Sequence, residues 1–242
     1  DVHLDVMKLS GPELIEYFLW KNDTSCNLKH DFGGRMFTEP SGLDGQKSVC
    51  LHPVDIAPRA NNCIVYSFGI NGDWSFDETF ENYGCKVYAF DPSMKENDHN
   101  HSAGVYFYKL GIGRRDETTD NGWKLRTLSS IYKMLEDKHR VNPYIDYLKM
   151  DIELDEWGVL LDILNSGMLS KVRQLAVEFH LLENEGLSVY RKFAKVLQLI
   201  ERKGNMVRFD SKYNPWFMGE LKGFLMSCSF GYEIAWYNRD FL

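Results

Sequence analysis

Three short stretches hold the residues that could do chemistry. "LKMDIELDEW" brings Asp151 and Glu153 to the end of an apolar run, and "LAVEFH" ends a second run in Glu178 and His180. A third, "VYSFGINGDW", passes from apolar residues into Gly69, Gly72 and Asp73. Carboxylates and an imidazole can move a proton at a reacting oxygen, or hold a divalent ion that polarises it. Glycines let backbone N–H groups approach a ligand closely. Glu178 and His180 lie two residues apart, so on a strand they share one side, and burying both is costly unless they are paired or used.

The elements that must position these residues are legible from periodicity. From Cys63 onward, short apolar runs alternate with helical stretches, the pattern of a parallel sheet. Strands are expected at 63–68, 86–90, 105–110, 144–150 and 172–179. "TLSSIYKMLEDKHR" predicts a helix capped by Thr127, with Lys138, His139 and Arg140 at its cation-favouring end. "EWGVLLDILNSG" predicts a second, stopped by Gly167 in a left-handed cap, and "SVYRKFAKVLQLIERKG" a third. "NMVRFDS" and "YEIAWYN" have no strong helix between them and predict an antiparallel hairpin at the sheet edge. Residues 1–60 read as an annex, a helix on "GPELIEYFLWKND" followed by a loop-rich region, covering one end of a domain at 61–242.

In an open α/β sheet, ligands bind beyond the carboxyl ends of the strands. All three stretches fall there. So does Asp91 in "VYAFDPS", 22 residues after Gly69, a spacing suited to hydrogen bonds from a ribose diol. The dinucleotide pattern G-x-G-x-x-G is incomplete, because Asn71 stands at its second glycine.

Composition narrows the partners. A net charge of -7 argues against a sequence-independent polyanion binder, so nucleic acid is not expected. No apolar run approaches the about 20 residues of a membrane helix, so membrane attachment would need a removed or absent N-terminal anchor. The five cysteines form no CxxC pair, and sequons begin at Asn22 and Asn100. Together they point to a secretory-pathway protein with one or two disulfides and an odd thiol left over. "DHNH" at 98–101 reads as a solvated loop carrying the second sequon.

"VYSFGINGDWSFD", "VYAFDPS", "YLKMDIELDEW" and "QLAVEFH", in that order and followed by the hairpin, resemble the class I S-adenosylmethionine-dependent methyltransferases. More narrowly they are similar to the FkbM-related methyltransferase-like domain of animal secretory and membrane-anchored proteins. The resemblance spans about Cys50 to Asn238. It implies a Rossmann-like α/β fold with a mostly parallel seven-stranded sheet, a terminal antiparallel hairpin and helices on both faces.

The resemblance also implies S-adenosylmethionine as cofactor and assigns roles. Phe68, Gly69, Ile70, Gly72 and Asp73 would hold its methionine part, Asp91 its ribose, and Gly113 and Asp116 would lie near the adenine. Asp151, Glu153, Glu178 and His180 would surround the transferred methyl and the acceptor. Ser67 departs from the family, which carries an acid there, so Asp73 or Asp77 would meet the cofactor's ammonium. His180 is the expected base, oriented by Glu178 or Asp151, with a divalent ion on Asp151 and Glu178 or His180 as the open alternative. The expected reaction is O-methylation of a glycan hydroxyl in the Golgi lumen, with Trp74, Trp123 and Trp216 available to stack on sugar faces. A protein or small-molecule acceptor, an NAD-dependent oxidoreductase and a noncatalytic cofactor-binding domain are the alternatives.

Overall fold

The computed structural model describes residues 4–39, 41–153, 155–224 and 226–242. Its centre is an eight-stranded sheet of β1 (Ile64–Phe68), β2 (Lys86–Phe90), β3 (His99–Asn100), β4 (Val105–Tyr108), β5 (Ile145–Met150), β6 (Val172–His180), β7 (Met206–Tyr213) and β8 (Gly231–Asn238). The spatial order is β7-β8-β6-β5-β1-β2-β4-β3. Strands β6, β5, β1, β2 and β4 run parallel, while β8 is antiparallel to both β6 and β7. This is the Rossmann-like arrangement implied by the sequence. The count differs by one because the two-residue β3 adds an antiparallel edge beside β4.

Both faces of the sheet are covered, as the unbroken burial of β1, β5 and β6 requires. On one face lie α1 (Gly11–Leu19), α3 (Leu128–Met134), α4 (Glu156–Asn165) and α5 (Leu187–Lys203), which contribute Phe18, Ile131, Leu160 and Leu197 to a core shared with Tyr66, Leu148 and Leu175. The other face packs Phe76 and Phe80 of α2 (Ser75–Tyr83) on Val65, Val87 and Tyr147. α1 starts with a capping box between Ser10 and Glu13, and Gly167 takes φ +78 after α4, as its sequence position predicts.

Two expectations need correction. α3 is shorter than its periodicity suggests, continuing only as a 3-10 turn at Glu136–His139. There His139 is buried between Tyr66 Oη, 2.7 Å from Nε2, and the Asn142 carbonyl, 2.9 Å from Nδ1, so it does not serve as an exposed helix-end cation. Burial lowers its pKa. The annex, expected to be loop-rich, contains two antiparallel pairs: Leu28–Phe32 with Lys47–His52, and Arg35–Thr38 with Ser41–Asp44.

The first of these pairs lies on the sheet face beside α2. Polar side chains of central strands anchor its backbone: Gln174 accepts from the Cys50 N–H and donates to the Cys50 and Ile56 carbonyls, and Tyr147 Oη donates to the Ser48 carbonyl. Buried glutamine and tyrosine on β5 and β6 are thereby satisfied. Disulfides join Cys26 to Cys50 and Cys63 to Cys85, and Cys228 is a buried free thiol.

Candidate active site

A cavity of about 1010 Å³ opens over the carboxyl ends of β1, β2, β5 and β6. The chain leaves β1 through Gly69 at φ +84, where a Cβ would stand 1.7 Å from the Asp151 carbonyl oxygen. Only glycine permits that approach, which lets the β1 and β5 ends share one wall. The Asp151 N–H donates to the Phe68 carbonyl at 3.0 Å, and Lys149 Nζ donates to the Gly69 carbonyl at 2.5 Å.

Asp91 secures the same loop from β2. Its Oδ2 accepts from the Ile70 and Asn71 N–H groups at 2.9 Å each, and its Oδ1 from Ser93 N–H and Oγ at 2.8 and 2.6 Å. Burial works to raise its pKa, but these donors outweigh it and hold the group below the ordinary range. A carboxylate offers about four acceptor positions. A ligand diol would therefore displace the one mobile donor, the Ser93 hydroxyl.

Where β5, β6 and β8 meet, three carboxylates converge. One oxygen each from Asp151, Glu178 and Glu233 lies within 4.8 Å of the others. Lys47, its side chain 1% exposed, places Nζ 2.8 Å from Glu233 Oε1 and 3.4 Å from Asp151 Oδ2. Burial works to lower the Lys47 pKa, and the Glu233, Asp151 and Glu178 charges hold it well above the usual value. Burial likewise works to raise Asp151, and the Lys47 and Lys149 ammonium groups hold it far below the carboxylate range. Glu178 goes the other way: burial, then the Glu233 and Asp151 charges, push it up to about 10, so it keeps a proton at neutral pH. Asn214 Nδ2 donates to Glu178 Oε1 at 2.5 Å and fixes the remaining oxygen.

The residues singled out in the sequence divide. Phe68, Gly69, Ile70, Asp73, Asp91, Gly113, Asp151, Glu153 and Glu178 line the cavity together. Glu153 does so with φ +52, a strained setting for a residue with a side chain. Outside the lining lie Gly72, whose carbonyl accepts from Arg35; Asp116, which caps α3 through Thr127 N–H and Ser130 Oγ; and Trp74, stacked on His101 at 3.9 Å between ring centroids. His101 also meets Glu78, and His99 meets the Asn97 carbonyl, so "DHNH" is held by its own neighbours.

His180 also lies outside the lining. Its Nδ1 is 2.5 Å from Glu156 Oε1, its Nε2 is 3.8 Å from Glu178 Oε2, and Phe217 packs edge-on 4.9 Å away. Burial lowers its pKa, but the Glu156 hydrogen bond and charge prevail and raise it. An imidazole that favours its protonated form and stands behind Glu178 is poorly placed to act as the base. Asp77 is fully buried on α2, so of the two acids weighed for an ammonium partner only Asp73 faces the cavity. Lys47, Glu233, Asn214, Glu156 and Arg35 were missed, because nothing in their local sequence marks them.

A parallel sheet of this order, with a glycine turn after β1, an acid after β2, a carboxylate after β5 and another near the end of β6, has the form of α/β folds that bind ligands beyond their strand ends. A family model described as "Methyltransferase domain" matches residues 18–223, and the chain belongs to that family. The oxidoreductase alternative falls with that result. It is similar to human "Probable methyltransferase-like protein 24", at 27% identity over 98% of this chain and 69% of the relative. The rat protein of the same name is 28% identical over 74% of this chain and 52% of the relative, so the chain spans about half of that protein. Among solved structures, "Putative hemolysin from Streptococcus thermophilus" aligns with a TM-score of 0.44 and 10% identity over 83% of this chain and 71% of that one.

Proposed function

We propose that the chain uses S-adenosylmethionine to methylate a hydroxyl oxygen of a carbohydrate in the lumen of the secretory pathway, at the Golgi. The observation that carries the reading is one cavity lined by a glycine turn, by Asp91, and by Asp151 and Glu178 of the Asp151–Glu178–Glu233 cluster. The residues fit the cofactor: the lining sets the acids Asp44, Asp73, Asp91, Glu117, Asp151, Glu153 and Asp155 against Arg35, Arg114, Arg115 and Lys149, a net negative field that favours a sulfonium.

When bound, the cofactor supplies a methyl group on positively charged sulfur. Asp151, held ionised, would accept the hydrogen bond of the acceptor hydroxyl and take its proton as that oxygen gains the methyl group. Its low basicity suffices, because a hydroxyl oxygen gaining a methyl becomes far more acidic than a carboxyl group. Glu178, protonated, steadies Asp151 and leaves it as the ionised member of the pair. The divalent-ion alternative fits less well, since Lys47 already places a cation among the three carboxylates.

A polyhydroxylated ring suits a lining that pairs the aromatic Phe37, Phe217 and Trp123 with carboxylates. Trp216 supports this wall indirectly, packing on Phe37 at 5.6 Å. The two disulfides support an oxidising compartment. Asn22 and Asn100 of the sequons are both exposed, and no helix among the described residues is long and apolar enough to cross a membrane. The test is calorimetric binding of S-adenosylmethionine, then mass spectrometry of a glycan panel for a gain of one CH2 unit. No gain on any sugar, with gain on a peptide or small hydroxylated molecule, would replace the acceptor and spare the methyl transfer.

A further inference from the structure

A second cavity, of about 480 Å³, lies between α1 and α5 and shares no lining residue with the strand-end cavity. It falls within the size range of ligand pockets. Tyr17 of α1 and Trp20, just after that helix, form its aromatic wall, and Trp20 is 54% exposed. Glu201 and Arg202 face them from the last turn of α5.

The aromatic wall is fixed from beneath by Arg208 of β7, whose side chain is sealed from solvent. Its Nη1 donates to the Tyr17 and Trp20 carbonyls at 2.7 and 3.1 Å, and its guanidinium lies 5.1 Å from the Tyr17 ring centroid and 5.5 Å from that of Trp20. Nε donates to Glu201 Oε1 at 2.6 Å, an oxygen that also accepts from Trp236 Nε1 at 3.0 Å. The Asn22 N–H, donating to the Arg208 carbonyl at 2.9 Å, pins the chain just beyond Trp20. An exposed ring already held in place loses little freedom when a ligand covers it.

Charge narrows what can cover it. A cationic ligand would meet Arg208, already stacked on both rings, and Arg202 beside them. An anionic ligand would meet the carboxylates of Glu13, Glu16 and Glu201. A neutral sugar meets neither obstacle: the C–H face of its ring stacks on an aromatic side chain, and its hydroxyls donate to carboxylates and accept from a guanidinium. We infer that this groove is a carbohydrate-binding site for a neutral glycan chain, separate from the transferase cavity, with Trp20 as its stacking platform. Binding here depends on neither the cofactor nor the methyl acceptor.

The test is calorimetry on the whole chain carrying Asn22→Gln, so that no sugar attached at that sequon fills the groove. The titrants are chitohexaose and mannohexaose, which are neutral, a heparin hexasaccharide and hexalysine. At least one neutral chain is expected to bind more tightly than either charged titrant. Trp20→Ala is expected to weaken that binding about 10-fold or more, and Trp20→Phe to keep most of it, with the melting midpoint unchanged in both. Binding of neither neutral chain, or tighter binding of the heparin hexasaccharide or of hexalysine, overturns the proposal. So does a loss of sugar binding with Trp123→Ala and not with Trp20→Ala, which would put the sugar in the strand-end cavity instead.

Discussion

Glu178 on β6 and Glu233 on β8 stand directly opposite each other across an antiparallel ladder. Like charges in that relationship repel and destabilise a sheet. Two features relieve the repulsion here: Glu178 retains its proton, and Lys47 of the annex reaches Glu233 at 2.8 Å. The annex lysine is therefore as much a part of the site as the strand-end acids.

Lys47→Met would leave the largely buried Glu233 without its ammonium partner and Asp151 with Lys149 alone. Breaking such a pair costs about 3–5 kcal/mol. The variant is expected to melt well below the unaltered protein, and Mn2+ is expected to raise its midpoint by filling the position Nζ had occupied. The unaltered protein should show no shift with Mn2+. A Mn2+ shift in the unaltered protein would restore the divalent-ion reading.

Asp151→Asn keeps the shape of the site and removes the proton acceptor. The loss of methyl transfer, followed with isotopically labelled S-adenosylmethionine, is expected to reach about 100-fold or more in kcat. S-adenosylhomocysteine affinity should stay within about threefold, because the change is confined to the transfer step. His180→Gln is expected to cost less than Asp151→Asn, since His180 stands behind Glu178. The reverse order would return the base to His180.

Asp77 links pH to stability. Burial pushes its pKa up to about 6, with Lys149 and Ser67 offsetting only part of the rise. Between the unfolded carboxylate range near pH 4 and pH 6, the unfolded chain releases this proton while the folded chain keeps it. Stability therefore falls as pH rises through that window and stays lower above it. Asp77→Asn is expected to raise the melting midpoint at pH 7.5 and to leave it unchanged at pH 4. A lower midpoint at pH 7.5 would show that the ionised carboxylate is stabilising.

The disulfides close short loops, with separations of 24 residues for Cys26–Cys50 and 22 for Cys63–Cys85. Each is expected to contribute about 3 kcal/mol by restricting the unfolded chain. Cys63→Ser with Cys85→Ser should lower the denaturant midpoint accordingly, and reductant should have no further effect at that pair. An unchanged midpoint in the double variant would show that the bond adds nothing to stability.

What the sequence determined by itself was the frame. Strand positions, the hairpin ending and the placement of Gly69, Asp91, Asp151 and Glu178 at strand ends follow from alternation and from the βα order. These are local signals: a period tells which face a side chain takes. Tertiary structure alone decided which partner waits on that face. Lys47 meets Asp151 across 104 residues and Arg35 meets Gly72 across 37, distances that no period reports. The same limit explains the departures. His180 shares a side with Glu178 as expected, yet Glu156 captured its Nδ1. Trp74 follows the glycine turn, yet its ring found His101. Charge neutralisation and close packing settle such pairings, and both act between segments that folding brings together.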